Sequence, residues 1–239
     1  MKTKRGVSAF IRIRDEELYI ESSLRSIAGI FEEYIIVFNN CKDNTEEIVL
    51  KTISELQIQA KLFYYNFDLK NVDTKDERSH ASFYNYALSK VATRRMYKWD
   101  GDCIALPCLK DNINRYKKIQ SGMIADKGIN VIKQDGHYFV SKIRYCGPEP
   151  RFVSMTPDVH FVQDRNRGYE VICPHENVVY TEDINFLHMH SELDLHQYHH
   201  NPEGLKERYI TDIPLEYEFV NILRRKKDGI TNASDSRNM

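Results

Sequence analysis

The first 65 residues alternate two helical patterns with three short apolar strands, and this order constrains the fold more than any other feature of the chain. Val7–Arg14 closes in strict alternation, Ile11 and Ile13 against Arg12 and Arg14, as a strand does. Asp15 is placed to cap a following helix whose one face carries Ile20, Leu24, Ile27 and Phe31. Tyr34–Phe38 is a continuous apolar run with β-branched residues, the pattern of a parallel strand covered on both faces. The polar turn Asn39–Asn44 leads into Asn44-Thr-Glu-Glu47, which resembles a capping box for a helix holding Val49, Ile53 and Leu56. A third strand is expected near Ala60–Tyr65. The order βαβαβ implies a mostly parallel, doubly wound α/β sheet. Such sheets bind ligands beyond the carboxyl ends of their strands.

The rest of the chain is less regular. A helix is expected at Ser82–Val91 and a strand at Met96–Trp99, stopping at Asp100-Gly-Asp102. Further strands are expected at Gly128–Lys133, His137–Arg144 and Ile184–His190, with Gly147-Pro-Glu-Pro150 as punctuation. Glu216–Lys227 has the pattern of a C-terminal helix, and residues 228–239 are polar enough to read as a disordered tail. We therefore expect one domain over residues 1–227, divided into halves 1–102 and 103–227.

Composition narrows the class. A formal net charge of −1 gives no basic field for nucleic acid. Five scattered cysteines form no disulfide framework, which points to a reducing compartment. No window approaches the roughly 18 apolar residues of a membrane span, so the chain reads as cytoplasmic. Arg224-Arg-Lys-Lys227 offers peripheral contact with anionic headgroups at the cytoplasmic membrane face.

Two carboxylates flanking a glycine at a strand end cannot both turn cheaply into an apolar core. Asp100 and Asp102 instead suit a hard cation that keeps open positions for phosphate oxygens, with Gly101 allowing the turn.

With this turn in place, the order of segments resembles a family-2-type glycosyltransferase of the GT-A fold, of the bacterial or viral surface-polysaccharide type. The residues that carry the resemblance are Val7–Glu17, Ile35–Thr45, Asn85-Tyr-Ala-Leu88 leading into Lys98–Asp102, and Phe186-Leu-His188. The resemblance implies a GT-A-like sheet with a nucleotide-sugar half followed by an acceptor half. It implies that Arg14 and Glu16 approach the nucleotide base and ribose, and that Asn39, Asn40 and Asp43 form the donor loop, where the family usually has an Asp in place of Asn39 or Asn40. It implies that Asp102 binds Mn²⁺ or Mg²⁺, with Asp100 on ribose or metal-bound water. It also implies inverting transfer from a nucleoside-diphosphate sugar, a UDP-sugar first among them, to a glycan or lipid-linked acceptor.

His188 is the candidate third metal ligand, because alternation over Ile184–His190 puts it on one face with Phe186 and His190. An imidazole beside carboxylates favours Mn²⁺. Arg78, His80, Arg94 and Lys98 are candidates for the diphosphate, and Trp99 for stacking on sugar or base. The acceptor hydroxyl needs a carboxylate base; Asp158, Glu149 and Glu176 are the candidates, with Asp158 preferred for its otherwise uncharged surroundings. A sugar nucleotidyltransferase would need a glycine-rich basic loop where Arg14-Asp-Glu-Glu17 stands. A non-catalytic glycan-binding module on the same fold is supported only by the amides at 39 and 40. A zinc hydrolase would need His spacings that His188–His200 does not show.

Overall fold

The computed structural model describes residues 4–67, 69, 79–120, 122–134, 137–164, 169–174, 177–191 and 210–214. The expected helix at Glu216–Lys227 with its basic cluster, and the tail 228–239, lie outside them, as do Arg78 and Glu176.

The chain divides into two compact units that do not follow the halves 1–102 and 103–227. The first comprises Met1–Gly128 and Gly147–Leu187, the second Ile129–Cys146 and His188–Met239.

The first unit opens with β1 (Lys4–Ile13), α1 (Ile20–Ile27), β2 (Glu33–Phe38), α2 (Thr45–Glu55), β3 (Ala60–Tyr64), α3 (His80–Lys90) and β4 (Thr93–Asp100). β1 pairs in parallel with β2 and β4, and β2 in parallel with β3. All six residues of β2 are buried, as an apolar run between two layers requires. α1 buries Ile20, Leu24 and Ile27 at helical spacing.

Both expected helix caps are replaced. α1 starts five residues after Asp15, and its first turn has no side-chain cap. Asp15 adopts φ 51° and instead accepts the Lys42 amide at 2.6 Å. At α2 the Asn44 side chain makes no cap bond; it donates to Glu17, and Asp43 Oδ1 accepts the Thr45 amide at 3.0 Å. The capping carboxylate is thus one residue earlier than the sequence pattern places it.

β5 (Cys103–Ala105) and α4 (Leu109–Tyr116) follow, then β6 (Met123–Gln134), β7 (His137–Ser154), β8 (His160–Asp164), β9 (Tyr169–Cys173), β10 (Val178–Ser191) and β11 (Ile210–Pro214). Among the described residues the main sheet runs β3-β2-β1-β4-β7-β6-β10-β5, with β7 antiparallel to β4. Gly147-Pro-Glu-Pro150, expected as a break, lies inside β7. The strand continues because Gly147 takes φ 84° and passes so close to the Asp126 carbonyl that a Cβ would stand 2.8 Å from it.

β8 and β9 form a separate antiparallel pair. Asn85 of α3 fastens this pair by accepting the Phe161 amide at 2.7 Å and donating to the Phe161 carbonyl at 2.8 Å. The Phe161 ring stacks on Phe10 with centroids 5.9 Å apart.

In the second unit β11 pairs with β7 through Ile210 and Ser141. Asn130 Oδ1 lies 3.2 Å from His188 Nδ1 and 3.3 Å from His190 Nε2, so the two imidazoles share one face of β10 as the alternation predicts.

Candidate functional site

The parallel register sets the site. Arg12 of β1 stands beside Asp100 of β4, at the carboxyl ends of two central strands. The side chain of Arg12 pairs with Asp100 Oδ1, and Arg151 of β7 reaches Asp100 Oδ2 at 3.0 Å. Arg151 also pairs with Glu149, and Lys98 donates to Glu149 at 2.9 Å. Glu170 lies 3.9 Å from Lys98. Three cations and three carboxylates therefore balance in one largely buried cluster.

Each charge is compensated before it is desolvated, which is the condition for tolerating it. The Arg12 guanidinium lies 3.6 Å from the centroid of the Tyr84 ring and Arg151 lies 4.1 Å from that of Phe186. Burial alone pushes the Glu149 carboxyl up, but Arg151 and Lys98 outweigh it and hold Glu149 below the ordinary carboxylate range. Burial opposes the charge on Arg151, and Glu149 and Asp100 more than restore it.

The loop after β1 meets the Asp100-Gly-Asp102 turn, and the loop after β2 is tied to that loop. Glu16 packs on Gly101, where a Cβ would stand 2.9 Å from its Cγ. The close approach of Glu16, rather than a left-handed backbone, is what requires glycine there. The same loop is tied to the one after β2: the Glu16 amide donates to Thr45 Oγ1 at 2.7 Å and the Glu17 amide to Asp43 Oδ2 at 3.0 Å. Arg14 donates to Asn39 Oδ1 at 3.4 Å. Arg14, Glu16, Asn39, Asn40, Asp43, Asp100 and Asp102 all belong to these neighbouring segments of the first unit.

Their employment differs from the sequence expectation at several positions. Asn39 is fully buried, and its amide donates to the carbonyls of Tyr65 at 3.0 Å and Phe67 at 2.5 Å. It positions the loop and Arg14 instead of presenting an edge to a nucleotide. Asp100, expected at ribose or metal, has both oxygens engaged by arginines. Asp102 is half-buried at the turn beyond them.

Lys98, expected on a diphosphate, is turned into the charge cluster. His80 is exposed at the start of α3, and Arg94 is exposed near the opposite end of β4 from Asp100. Trp99, expected to stack on a ligand, is wholly buried and donates to Ser23 Oγ at 2.8 Å. Asp158 is exposed in the turn before β8, where its bond to Thr156 lowers its pKa. His188 is half-buried in the second unit.

Arg12, Arg151 and Glu170 were not singled out by sequence. Arg12 carried a usable signal, since an arginine inside a strand of a doubly wound sheet, which carries helices on both faces, needs a buried counter-charge. Arg151 and Glu170 come from distant strands and gave no local sign.

The model of one family, described as Beta-1,4-N-acetylgalactosaminyltransferase (CgtA), matches residues 2–142, well over half of the chain. No curated protein matches the sequence. Among solved structures, residues 1–349 of S. aureus TarS in complex with UDP-GlcNAc are similar, with a TM-score of 0.52 at 16% identity. The match covers 77% of this chain and 58% of that one. The complex of the same TarS fragment with UDP gives a TM-score of 0.50 at 16% identity, over 80% of this chain and 62% of that one. The chain thus spans less than two thirds of those structures. The likeness is one of fold, a GT-A-like α/β architecture.

Proposed function

Because the chain belongs to the beta-1,4-N-acetylgalactosaminyltransferase (CgtA) family, we propose that it is a glycosyltransferase that moves an N-acetylhexosamine from a UDP-sugar to a glycan or lipid-linked acceptor in surface-polysaccharide synthesis. The observation that carries this reading is the convergence of the loops after β1, β2 and β4 at the carboxyl edge of a parallel sheet. The UDP-GlcNAc complex of TarS, on a similar fold, supports the choice of donor.

In this reading Arg14, Glu16, Asn40 and Asp43 line the nucleotide. Asp102 holds a divalent cation, Mn²⁺ or Mg²⁺, which would neutralise the diphosphate as it departs. Asp102 fits that role better than Asp100, whose oxygens already meet two arginines; Asp100 instead fixes the position of the turn. His188 is the further ligand that the alternation of β10 suggests. The acceptor oxygen attacks the anomeric carbon, the bond to the diphosphate breaks with inversion, and its electron pair leaves with UDP. The hydroxyl proton passes to a carboxylate. Thr156 holds Asp158, and Arg151 and Lys98 hold Glu149, below the ordinary carboxylate range, so pKa does not choose between them; Asp158 is the proposed base because both oxygens of Glu149 are already engaged by cations. No helix among the described residues is long and apolar enough to cross a membrane.

Calorimetry with UDP, GDP, CDP and CMP, each with and without Mn²⁺, tests the reading. UDP binding that requires Mn²⁺ and weakens at least tenfold in Asp102→Asn is expected. Nucleotide binding indifferent to both metal and substitution would overturn it.

A further inference from the structure

Beside the charge cluster, the first unit carries a half-open cavity of about 540 Å³ whose wall includes Lys98, Glu149, Phe161, Tyr169, Glu170 and Tyr180. Its size is that of ligand pockets, about 300–1,000 Å³. The cavity is built by three parts of the fold. The Gly147–Pro150 stretch of β7 brings Glu149, the β8–β9 pair brings Phe161, Tyr169 and Glu170, and β10 brings Tyr180.

Two features of the wall are unusual for a passive cleft. Tyr169 and Tyr180 line it while 49% and 65% exposed, so aromatic surface borders the space. Two carboxylates face the same space with one lysine between them. One cation against two carboxylates disfavours a phosphate group, so the occupant is not a second nucleotide. A pyranose meets this chemistry: its C–H face lies on an aromatic ring and its hydroxyls donate to carboxylates.

Position agrees with chemistry. Lys98 precedes Asp100 by two residues on the same face of β4, about 7 Å of strand. Glu149 is joined to Asp100 through Arg151.

The geometry points to this cavity as the subsite for the acceptor sugar, with Tyr180 and Tyr169 as stacking surfaces and Glu170 as hydroxyl acceptor. The assignment rests on the transferase reading for its name, though not for its test. Glu170 is the better hydroxyl acceptor of the two carboxylates, since Glu149 has its oxygens on Lys98 and Arg151.

Saturation-transfer NMR on the full chain, with Mn²⁺ and UDP present, would probe it with the methyl β-glycosides of glucose, galactose, N-acetylglucosamine and N-acetylgalactosamine. At least one should receive saturation from the wild-type protein. Its affinity should fall at least tenfold in both Tyr180→Ala and Glu170→Gln, while UDP affinity in the same samples changes less than twofold. Tyr180 is mostly solvent-exposed and Glu170→Gln is isosteric, so neither change is expected to unfold the chain; circular dichroism on both variants verifies it. Absence of glycoside binding by the wild-type protein, or full affinity in both variants, overturns the assignment. The donor reading fails separately, by loss of Mn²⁺-dependent UDP binding with glycoside binding intact.

Discussion

Asn39 occupies the point where β2 hands the chain to the donor loop. Its Nδ2 donates to two carbonyls beyond β3 and its Oδ1 accepts from Arg14. An aspartate there would set a buried carboxylate oxygen against two carbonyl oxygens. Asn39→Asp is therefore expected to cost about 1–3 kcal/mol, the penalty of leaving buried groups unpaired, read as a lowered urea midpoint. An unchanged midpoint would show that the amide contributes little to the loop. The same physical argument separates the two aspartates of the turn. Asp100 is held by arginines that are each 3% exposed. Arg151→Met would leave Asp100 and Glu149 short of a counter-charge and should destabilise the fold by about 3–5 kcal/mol. Asp102→Asn should leave stability near wild type while weakening metal-dependent UDP binding. If the two substitutions affected stability alike, the division of labour between the aspartates would be lost.

At the scale of elements, the β8–β9 pair depends on a residue far away in sequence. Asn85 closes a two-bond clasp on Phe161, and the Phe161 ring lies against Phe10 and Tyr84. Asn85→Ala removes both bonds, worth roughly 1–2 kcal/mol together. Hydrogen exchange in β8 and β9 should quicken while the amides of β1 and β2 keep their protection; uniform quickening would refute a local clasp. The clasp also shows what the sequence could and could not reveal. Asn85 was visible as part of a motif, but its partner is 76 residues away. The strands and helices of residues 7–65 were legible because periodicity is local, and so were the positions of the loops that follow β1, β2 and β4. The Arg12–Asp100 pair depends on strand register across 88 residues, and no local pattern reports that. Gly147–Pro150 misled for a related reason. Glycine and proline usually end a strand, but here the close passage of Asp126 makes use of them.

At the scale of the whole molecule, Asp126 is a buried carboxyl among the described residues whose pKa is raised instead of lowered, and it shapes the response to pH. Asp126 is fully buried; it accepts from Tyr97 Oη at 2.7 Å and from the Asn185 amide. Burial raises its pKa to about 7, against the pull of Arg151 and of the hydrogen bonds from Tyr97 and Asn185. In the unfolded chain an aspartate titrates near about 4. Between these values the folded protein keeps a proton that the unfolded chain has released, so this residue's contribution to stability falls as pH rises through the window and levels off above it. Carboxylates held low in the fold, such as Glu149 and Glu33, act in the opposite sense at lower pH, as they lose stabilisation on protonation. The clean readout is thus a difference between two proteins. Asp126→Asn keeps an oxygen acceptor for Tyr97 and Asn185 and removes only the titration. Relative to wild type, the variant should gain stability steadily from pH 4.5 to 7, by up to about 1.4 kcal/mol per pH unit, and then hold a constant advantage to pH 8.5. Urea midpoints taken at intervals across that range would measure it. A wild-type-to-variant difference that stays flat with pH would mean that Asp126 is ionised throughout, with Arg151 as its effective counter-ion.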